Sequence, residues 1–144
     1  MTEREVRRLL GSARHAEWEL KRIQERIYRL DTLRKRVTPA YSKAPAGGGG
    51  NGSRIEDVTA KIMELEALLQ EKTYEYLRQY REAEAAIALV EKQDAKAAEI
   101  LRMRYLDGEK WEDIADMKGY ERTKVFRLRK KAVKILQEVE ILKE

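Results

Sequence analysis

The sequence predicts an all-α fold, in which a long antiparallel helical hairpin of coiled-coil type is followed by a C-terminal helix-turn-helix. Three observations support it. Charged residues make up 40% of the 144 residues, and aromatic residues only 7%, which suits long solvated helices better than a thick core. Two long segments carry apolar residues at helical intervals, and a short apolar and glycine pattern lies near the C-terminus. We therefore predict a hairpin domain over residues 1–93 and a helix-turn-helix domain over residues 94–144.

The first helix is predicted from about Glu3 to Val37. Its apolar residues recur at alternating steps of three and four, the spacing of one helix face: Val6, Leu9, Ala13, Ala16, Leu20, Ile23, Ile27 and Leu30. Thr38-Pro39 is predicted to end the helix, because the residue before a proline is driven out of the helical region.

Residues 39–53 read PAYSKAPAGGGGNGS, and they are predicted to form a flexible Pro/Gly-rich connector. The glycines do not fit a phosphate-binding loop, since no strand precedes them and no Gly-Lys-Ser/Thr follows. Ser53 is the expected N-cap of the next helix, with Glu56 completing a capping box. Whether the glycine run is natural or introduced stays open.

The second long helix is predicted from about Arg54 into the nineties. Its apolar residues also recur on one helix face, and we call such a row a stripe. The stripe is interrupted at Lys72 and otherwise consists of Ile55, Val58, Ile62, Leu65, Leu69, Tyr76, Tyr80, Ala83, Ile87 and Val90. Two such helices are expected to pair antiparallel, although a pairing swapped between chains across the long connector is an alternative. Because each stripe is narrow, the pair should self-associate, and we expect a homodimer through residues 1–93.

The C-terminal part is predicted to contain three helices. The first runs from about Ala95 to Leu106 and ends at Asp107-Gly108. Residues 111–131, WEDIADMKGYERTKVFRLRKK, then read as a helix, a turn at Gly119 and a second helix. The small or apolar residues Ile114, Ala115, Val125 and Leu128 fall where two short helices pack, and Gly119 suits a turn that needs positive φ.

The last helix is strongly basic. Between residues 122 and 134 there is no acidic residue, and the basic ones are Arg122, Lys124, Arg127, Arg129, Lys130, Lys131 and Lys134. A helix of this kind can lie in the major groove of DNA and neutralise phosphates on both sides. An ordinary helical hairpin with a solvated basic face is the alternative.

Residues 97–136 resemble region four of bacterial sigma factors, on the segment ILRMRYLDGEKWEDIADMKGYERTKVFRLRKKAVKIL. Over its whole length the chain is similar to small phage-encoded proteins, the late transcription regulators of the ArpU and RinA kind. The resemblance implies a DNA-binding transcriptional regulator of a phage or prophage, located in the cytoplasm of the bacterial host. Its implied partners are double-stranded DNA and host RNA polymerase.

The resemblance also implies the site. In the sigma-type module the first turns of the recognition helix present side chains to base edges, and here those positions hold Arg122, Thr123 and Phe126, with Arg127 and Lys130 adjoining. Lys110, Lys124, Lys131 and Lys134 are expected to hold phosphates. Two residues depart from the sigma pattern: Glu121 replaces the usual small hydroxyl cap, and Phe126 replaces a polar or basic reader. We therefore expect a target other than the ordinary promoter element.

An enzyme is not expected. The chain has no cysteine and one histidine, and its carboxylates alternate with Lys and Arg as surface pairs do. No metal or cofactor site and no membrane segment is predicted. Two other functions remain open: a phage DNA-packaging recognition subunit resembling the small terminase, and an oligomerisation or RNA polymerase-binding adaptor.

Overall fold

The structure is a computed structural model, which describes the backbone of residues 1–43 and 49–143 and the side chains of residues 1–36 and 54–139. Every regular element in these ranges is helical, so the predicted all-α class is confirmed. The helices are α1 (Glu3–Lys43), α2 (Gly49–Glu91), α3 (Ala95–Leu101), α4 (Trp111–Lys118) and α5 (Arg122–Lys143). A π-helical segment, Arg102–Leu106, continues α3.

The predicted connector 39–53 was wrong at both ends. The first helix continues past Thr38-Pro39 to Lys43, and α2 begins at Gly49, so Ser53 lies inside α2 and not at its N-cap. Proline removes one backbone hydrogen bond and glycine lowers helix propensity by about 1 kcal/mol, but neither forbids a helix. Residues 44–48 lie outside the described residues.

The N-terminus of α1 is held by a capping box that the sequence analysis missed. The Thr2 N–H donates to Glu5 Oε2 at 3.0 Å, and the Glu5 N–H donates to Thr2 Oγ1 at 3.1 Å. Two donors at the helix start are thereby satisfied reciprocally. The signal was present in the sequence, since Thr-x-x-Glu precedes the first apolar residue of the stripe.

The chain divides into two compact units, and the division differs from the predicted one at residues 93 and 94. One unit consists of Met1–Ala16 with Tyr76–Glu144, and the other is Glu17–Glu75. The N-terminal part of α1 and the C-terminal part of α2 therefore belong to the same unit as the C-terminal helices. Whether residues 1–93 and 94–144 fold independently stays a prediction.

The main core of the first unit joins residues of α1, α2, α3 and α5. Its buried members are Val6, Leu10, Ala86, Ile87, Val90, Ala97, Ala98, Leu101, Ala132, Val133, Ile135 and Leu136. Most of the predicted stripe positions in this part of α1 and α2 are buried. Leu9 had been predicted to face inward, but it is half-buried and its neighbour Leu10 is fully buried. The reason is that α1 packs here against several elements and buries more than a narrow stripe.

The unit Glu17–Glu75 has a thin core. Among its described residues the buried apolar ones are Ile23, Ile62 and Leu65. The interruption of the stripe at Lys72 has a structural reason: its ammonium lies 3.3 Å from a carboxylate oxygen of Glu19 on α1. This hydrogen bond and the charge of Glu19 raise the pKa of Lys72 above its ordinary value, with Glu75 adding to the effect.

The two helix segments of this unit run antiparallel. Glu19 of α1 pairs with Lys72 of α2, whereas Leu33, further along α1, lines one cavity with Ile55 and Val58, which lie earlier in α2. Residues later in α1 therefore lie beside residues earlier in α2. Within the described part of the chain, no helix is both long enough and apolar enough to cross a lipid bilayer.

Candidate nucleic-acid interface

The turn between α4 and α5 is built on Gly119, as predicted. Gly119 has a φ of +68°, in the left-handed region that favours glycine. Its N–H donates to the Asp116 carbonyl at 3.2 Å, and the Tyr120 N–H donates to the Ala115 carbonyl at 2.9 Å. This hydrogen-bond pair is the Schellman arrangement that ends a helix, so α4 stops at a defined residue and α5 can start three residues later.

A small cluster of buried residues fixes α4 against α5. Ile100 of α3, Ile114 and Ala115 of α4, and Val125 of α5 are buried together. Met103, Trp111, Tyr120 and Leu128 pack around them. The predicted inward positions of both helices are thus confirmed, and this packing leaves the opposite face of α5 directed outward.

Trp111, the first residue of α4, is in contact with two guanidinium groups. The Arg104 guanidinium lies 5.4 Å and the Arg129 guanidinium 4.9 Å from the centre of its rings, and Tyr105 meets it edge to face at 6.1 Å. Arg104 also donates to the Glu109 carbonyl at 3.2 Å. Such stacking stabilises the start of α4 against the π-helical segment and α5.

Arg104, which contacts Trp111, lies near other positive charges. Burial lowers the pKa of Arg104, and the nearby positive charges of Arg14 and Arg129 lower it further. The Nε of Arg129 is buried and has no hydrogen-bond partner among the described residues. An anion placed beside this group would relieve the repulsion among the three guanidinium groups.

The outer face of α5 is exposed over three turns. Thr123, Phe126, Arg127, Lys130 and Lys134 are all exposed and recur at intervals of three or four, so they share one side of the helix. Phe126 is 59% exposed. Within the described residues no ion pair is seen for Arg127, Lys130 or Lys134. The structure therefore brings five of the predicted DNA-binding residues together on one basic face.

Arg122 lies at the edge of that face. It is exposed, and it lines a cavity of about 250 Å³ between α4 and α5 together with Trp111, Glu112, Ala115, Val125, Phe126 and Arg129. Lys110 is exposed immediately before α4, where the backbone is extended. It is on a different element from the other predicted residues.

Two predicted phosphate contacts already have partners within the chain. The Lys124 ammonium lies 4.1 Å above the ring of Tyr120, and the Lys131 ammonium lies 3.0 Å from Asp94 Oδ2. Asp94 is the N-cap of α3 and accepts from the Ala97 N–H at 3.1 Å. Burial opposes ionisation of Asp94, but the bonds from Ala97 and Lys131 outweigh it and lower its pKa.

Sequence reasoning missed the roles of Asp94, Arg104 and Arg129. Asp94 had a local signal, since an aspartate directly before a helix is a favoured N-cap. The positions of Arg104 and Arg129 had none, because their common partner Trp111 is brought to them only by the packing of α4.

These features define an all-helical protein whose C-terminal helices present one exposed basic face. Residues 37–137 match the family described as "Protein of unknown function (DUF1492)", and the chain belongs to that family. No curated protein and no solved structure matches the chain.

Proposed function

We propose that the protein is a phage or prophage transcriptional regulator that binds double-stranded DNA through α5. The observation that carries the proposal is the exposed face of Thr123, Phe126, Arg127, Lys130 and Lys134, which holds three basic side chains. The proposed place of action is the cytoplasm of a bacterial host. Contact with host RNA polymerase and homodimer formation belong to the same proposal.

Two physical features support this reading. The major groove admits an α-helix, and basic side chains on that helix release the counterions that surround the phosphates. The helix is also preorganised, because Val125 is buried against α4 while Thr123 and Phe126 point away from the core. Binding would therefore not require α5 to be ordered first, which lowers the entropic cost of recognition.

The side chains divide into readers and holders. Arg122 and Arg127 can each bond guanine bidentately, and Thr123 and Phe126 can pack against a thymine methyl. Lys130 and Lys134 are suited to phosphates, which position the protein without specifying a sequence. Lys131 can reach a phosphate only by exchanging its bond with Asp94, so it is a weaker test of phosphate contact than Lys134.

The test starts by selecting bound sequences from a random DNA pool, followed by titrations of selected and random DNA at several salt concentrations. Arg122→Ala should weaken binding to the selected site by about 1–3 kcal/mol and relax the preference at one base pair. Lys134→Ala should weaken both DNAs alike and reduce the salt slope by about one unit.

Arg7→Ala is the matched control, since it removes one positive charge from an exposed arginine of α1 that pairs with Glu3. It should leave both affinities unchanged. If Arg122→Ala lowers the affinity for both DNAs equally, α5 holds the backbone and does not read sequence. Absence of salt-dependent binding to either DNA would refute the proposal.

A second candidate function is an adaptor that binds an acidic protein surface, such as one on RNA polymerase. The cavity beside Phe126 and Trp111 favours it, because an apolar pocket next to basic side chains suits a protein side chain. The same titrations separate the two functions, since an adaptor would bind no DNA.

A further inference from the structure

Helix α2 carries two heptad stripes, of which α1 covers only one. The covered stripe contains Val58, Ile62, Leu65, Leu69, Lys72 and Tyr76, which are buried or half-buried. The second stripe has the same alternation of steps and consists of Ala60, Met63, Ala67, Gln70, Tyr74 and Leu77, all of them exposed. At 100° per residue the two stripes lie about 140° apart on the helix.

The second stripe is too apolar to be an ordinary solvated face. Met63 is 66%, Tyr74 67% and Leu77 41% exposed, whereas the unit Glu17–Glu75 has only a thin core of its own. A helix whose a and d positions are apolar over several turns is stabilised when those positions pack into a second such helix. Within the described residues, no helix of matching spacing therefore packs against the exposed stripe.

We propose that the partner is the same stripe of a second copy of this chain, paired antiparallel about a two-fold axis between Leu68 and Leu69. This inference rests on the self-association included in the proposed function and names its surface and geometry. It does not depend on DNA binding.

The sizes of the side chains support this register. In the antiparallel pair Ala60 lies opposite Leu77 of the second copy, Met63 opposite Tyr74, and Ala67 opposite Gln70. Two of these three layers set a small residue against a larger one, as interdigitated packing requires. The alanine at 67 leaves room for the Gln70 amide of the other copy, so the two-fold axis places two polar layers at the centre of the pair. A polar residue at a core position is a known means of fixing the register of a coiled coil.

The charges beside the stripe support the antiparallel direction. In a parallel pair, Glu66 of each copy would face Glu71 of the other, which gives two repulsive contacts. In the antiparallel pair, Glu64 of each copy faces Arg78 of the other, which gives two attractive contacts, while the two Glu71 residues and the two Glu66 residues each form one repulsive contact. Glu64 and Arg78 are 69% and 64% exposed in their present pairs with Lys61 and Glu82. Such surface pairs are weak and can be exchanged.

The residues that report on a contact between copies differ from those that the sequence suggests. From the sequence, Ile27→Asp and Leu65→Asp would be expected to separate two copies. In the structure Leu65 is 7% exposed and Ile27 is half-buried, and both lie on the stripes that join α1 and α2 of one chain. An aspartate there would disrupt the folded chain itself and would not report on the contact between copies.

The first experiment is sedimentation equilibrium of the full chain. The wild-type chain should form dimers, and Met63→Lys should raise the dimer dissociation constant at least tenfold with unchanged helix content by circular dichroism. Met117→Lys is the matched control, because Met117 is 55% exposed on α4 and is not part of the stripe, and this variant should behave as wild type. A monomeric wild type, an eight- or nine-membered ring, or equal dissociation constants for Met63→Lys and wild type would overturn the proposal.

The second experiment tests the direction. The chain has no cysteine, so introduced thiols are the only ones present. Ala60→Cys and Leu77→Cys are made as two separate variants, and positions 60 and 77 lie about 25 Å apart along α2. The antiparallel pair predicts that a mixture of the two variants forms a disulfide-linked dimer under mild oxidation, and that neither variant does so alone. Cross-linking of each variant alone, without cross-linking between them, would instead establish a parallel pair and overturn the proposal.

DNA titrations of the wild-type chain and of the Met63→Lys variant keep the two proposals distinct. A dimer that binds no DNA would refute the proposed function and leave this pairing intact. Salt-dependent DNA binding by a monomeric wild-type chain would refute the pairing, and homodimer formation with it, and leave DNA binding through α5 intact.

Discussion

The left-handed turn at Gly119 can be tested by a pair of identical substitutions with opposite expected effects. Gly119 has a φ of +68° and Gly11 lies inside α1, and at either position an added Cβ would meet nothing within 4 Å. Gly119→Ala and Gly11→Ala therefore differ in backbone conformation and not in steric contact. Both positions belong to the same compact unit.

The magnitudes follow from the backbone alone. A residue with a Cβ in the left-handed region costs about 1–2 kcal/mol, and replacing glycine restricts the unfolded chain by about 0.4–1 kcal/mol. Gly119→Ala should therefore lower the free energy of unfolding by about 0.5–1 kcal/mol. Gly11→Ala should raise it by about 0.5–1 kcal/mol, because alanine is the better helix former.

The assay is urea-induced unfolding followed by tryptophan fluorescence. The chain has two tryptophans, one in each compact unit. A Trp18→Phe background leaves Trp111 as the sole reporter of the unit that contains both glycines. Gly119→Asn should fall between wild type and Gly119→Ala, since asparagine visits the left-handed region more readily than alanine does.

The decisive quantity is the sign of the difference between the two alanine variants. If Gly119→Ala stabilised the unit as Gly11→Ala should, the chain would not adopt a left-handed turn at residue 119. The separation of α4 from α5, and with it the placement of the basic face, would then be wrong.

Two further predictions concern contacts that the tertiary structure created. Asp94→Ala removes the N-cap of α3 and the partner of Lys131, and should lower the free energy of unfolding at neutral pH by about 0.5–2 kcal/mol. Because the pKa of Asp94 lies below its ordinary value of 3.8, its contribution is complete above that value and is lost as the pH falls through the lowered pKa. Urea titrations of both chains should therefore converge in acid, and a difference independent of pH would contradict the role of the carboxylate. Trp111→Ala should lower the free energy of unfolding by about 2–3 kcal/mol through the loss of two guanidinium contacts and one aromatic contact. Circular dichroism would monitor that unfolding, and a loss below about 0.5 kcal/mol would mean that these contacts contribute little net stability.

Several features could be predicted from the sequence because they depend on neighbouring residues. The periodicity of the apolar residues predicted two long helices, and it identified Val6, Ile23, Ile62 and Ile87 as inward positions, all of which are buried. Asp107-Gly108 correctly marked the end of the third helical stretch, where Gly108 has a φ of +78°. The turn at Gly119 was predicted for the same reason, since only a few residues tolerate positive φ.

The limits of local reasoning are clearest around residues 38–53. Proline and glycine are poor helix formers, and the sequence therefore predicted a connector there. The structure continues α1 to Lys43 and begins α2 at Gly49. Each glycine destabilises a helix by about 1 kcal/mol relative to alanine. Most of the stability of a long helix comes from the tertiary packing of its apolar face, so the helix propensity of these residues does not set the helix ends.

What the sequence by itself determined is the helical class, the inward stripes and the turn before the basic helix, because each depends on spacing within a few residues. The tertiary structure alone decided which charges are engaged within the chain: Lys72 with Glu19, Lys131 with Asp94, and Arg104 and Arg129 with Trp111. It also decided which of the two heptad stripes of α2 is covered. Partners distant in sequence meet only when helices pack, and a side chain's charge or apolar surface is available to another molecule only where that packing leaves it exposed.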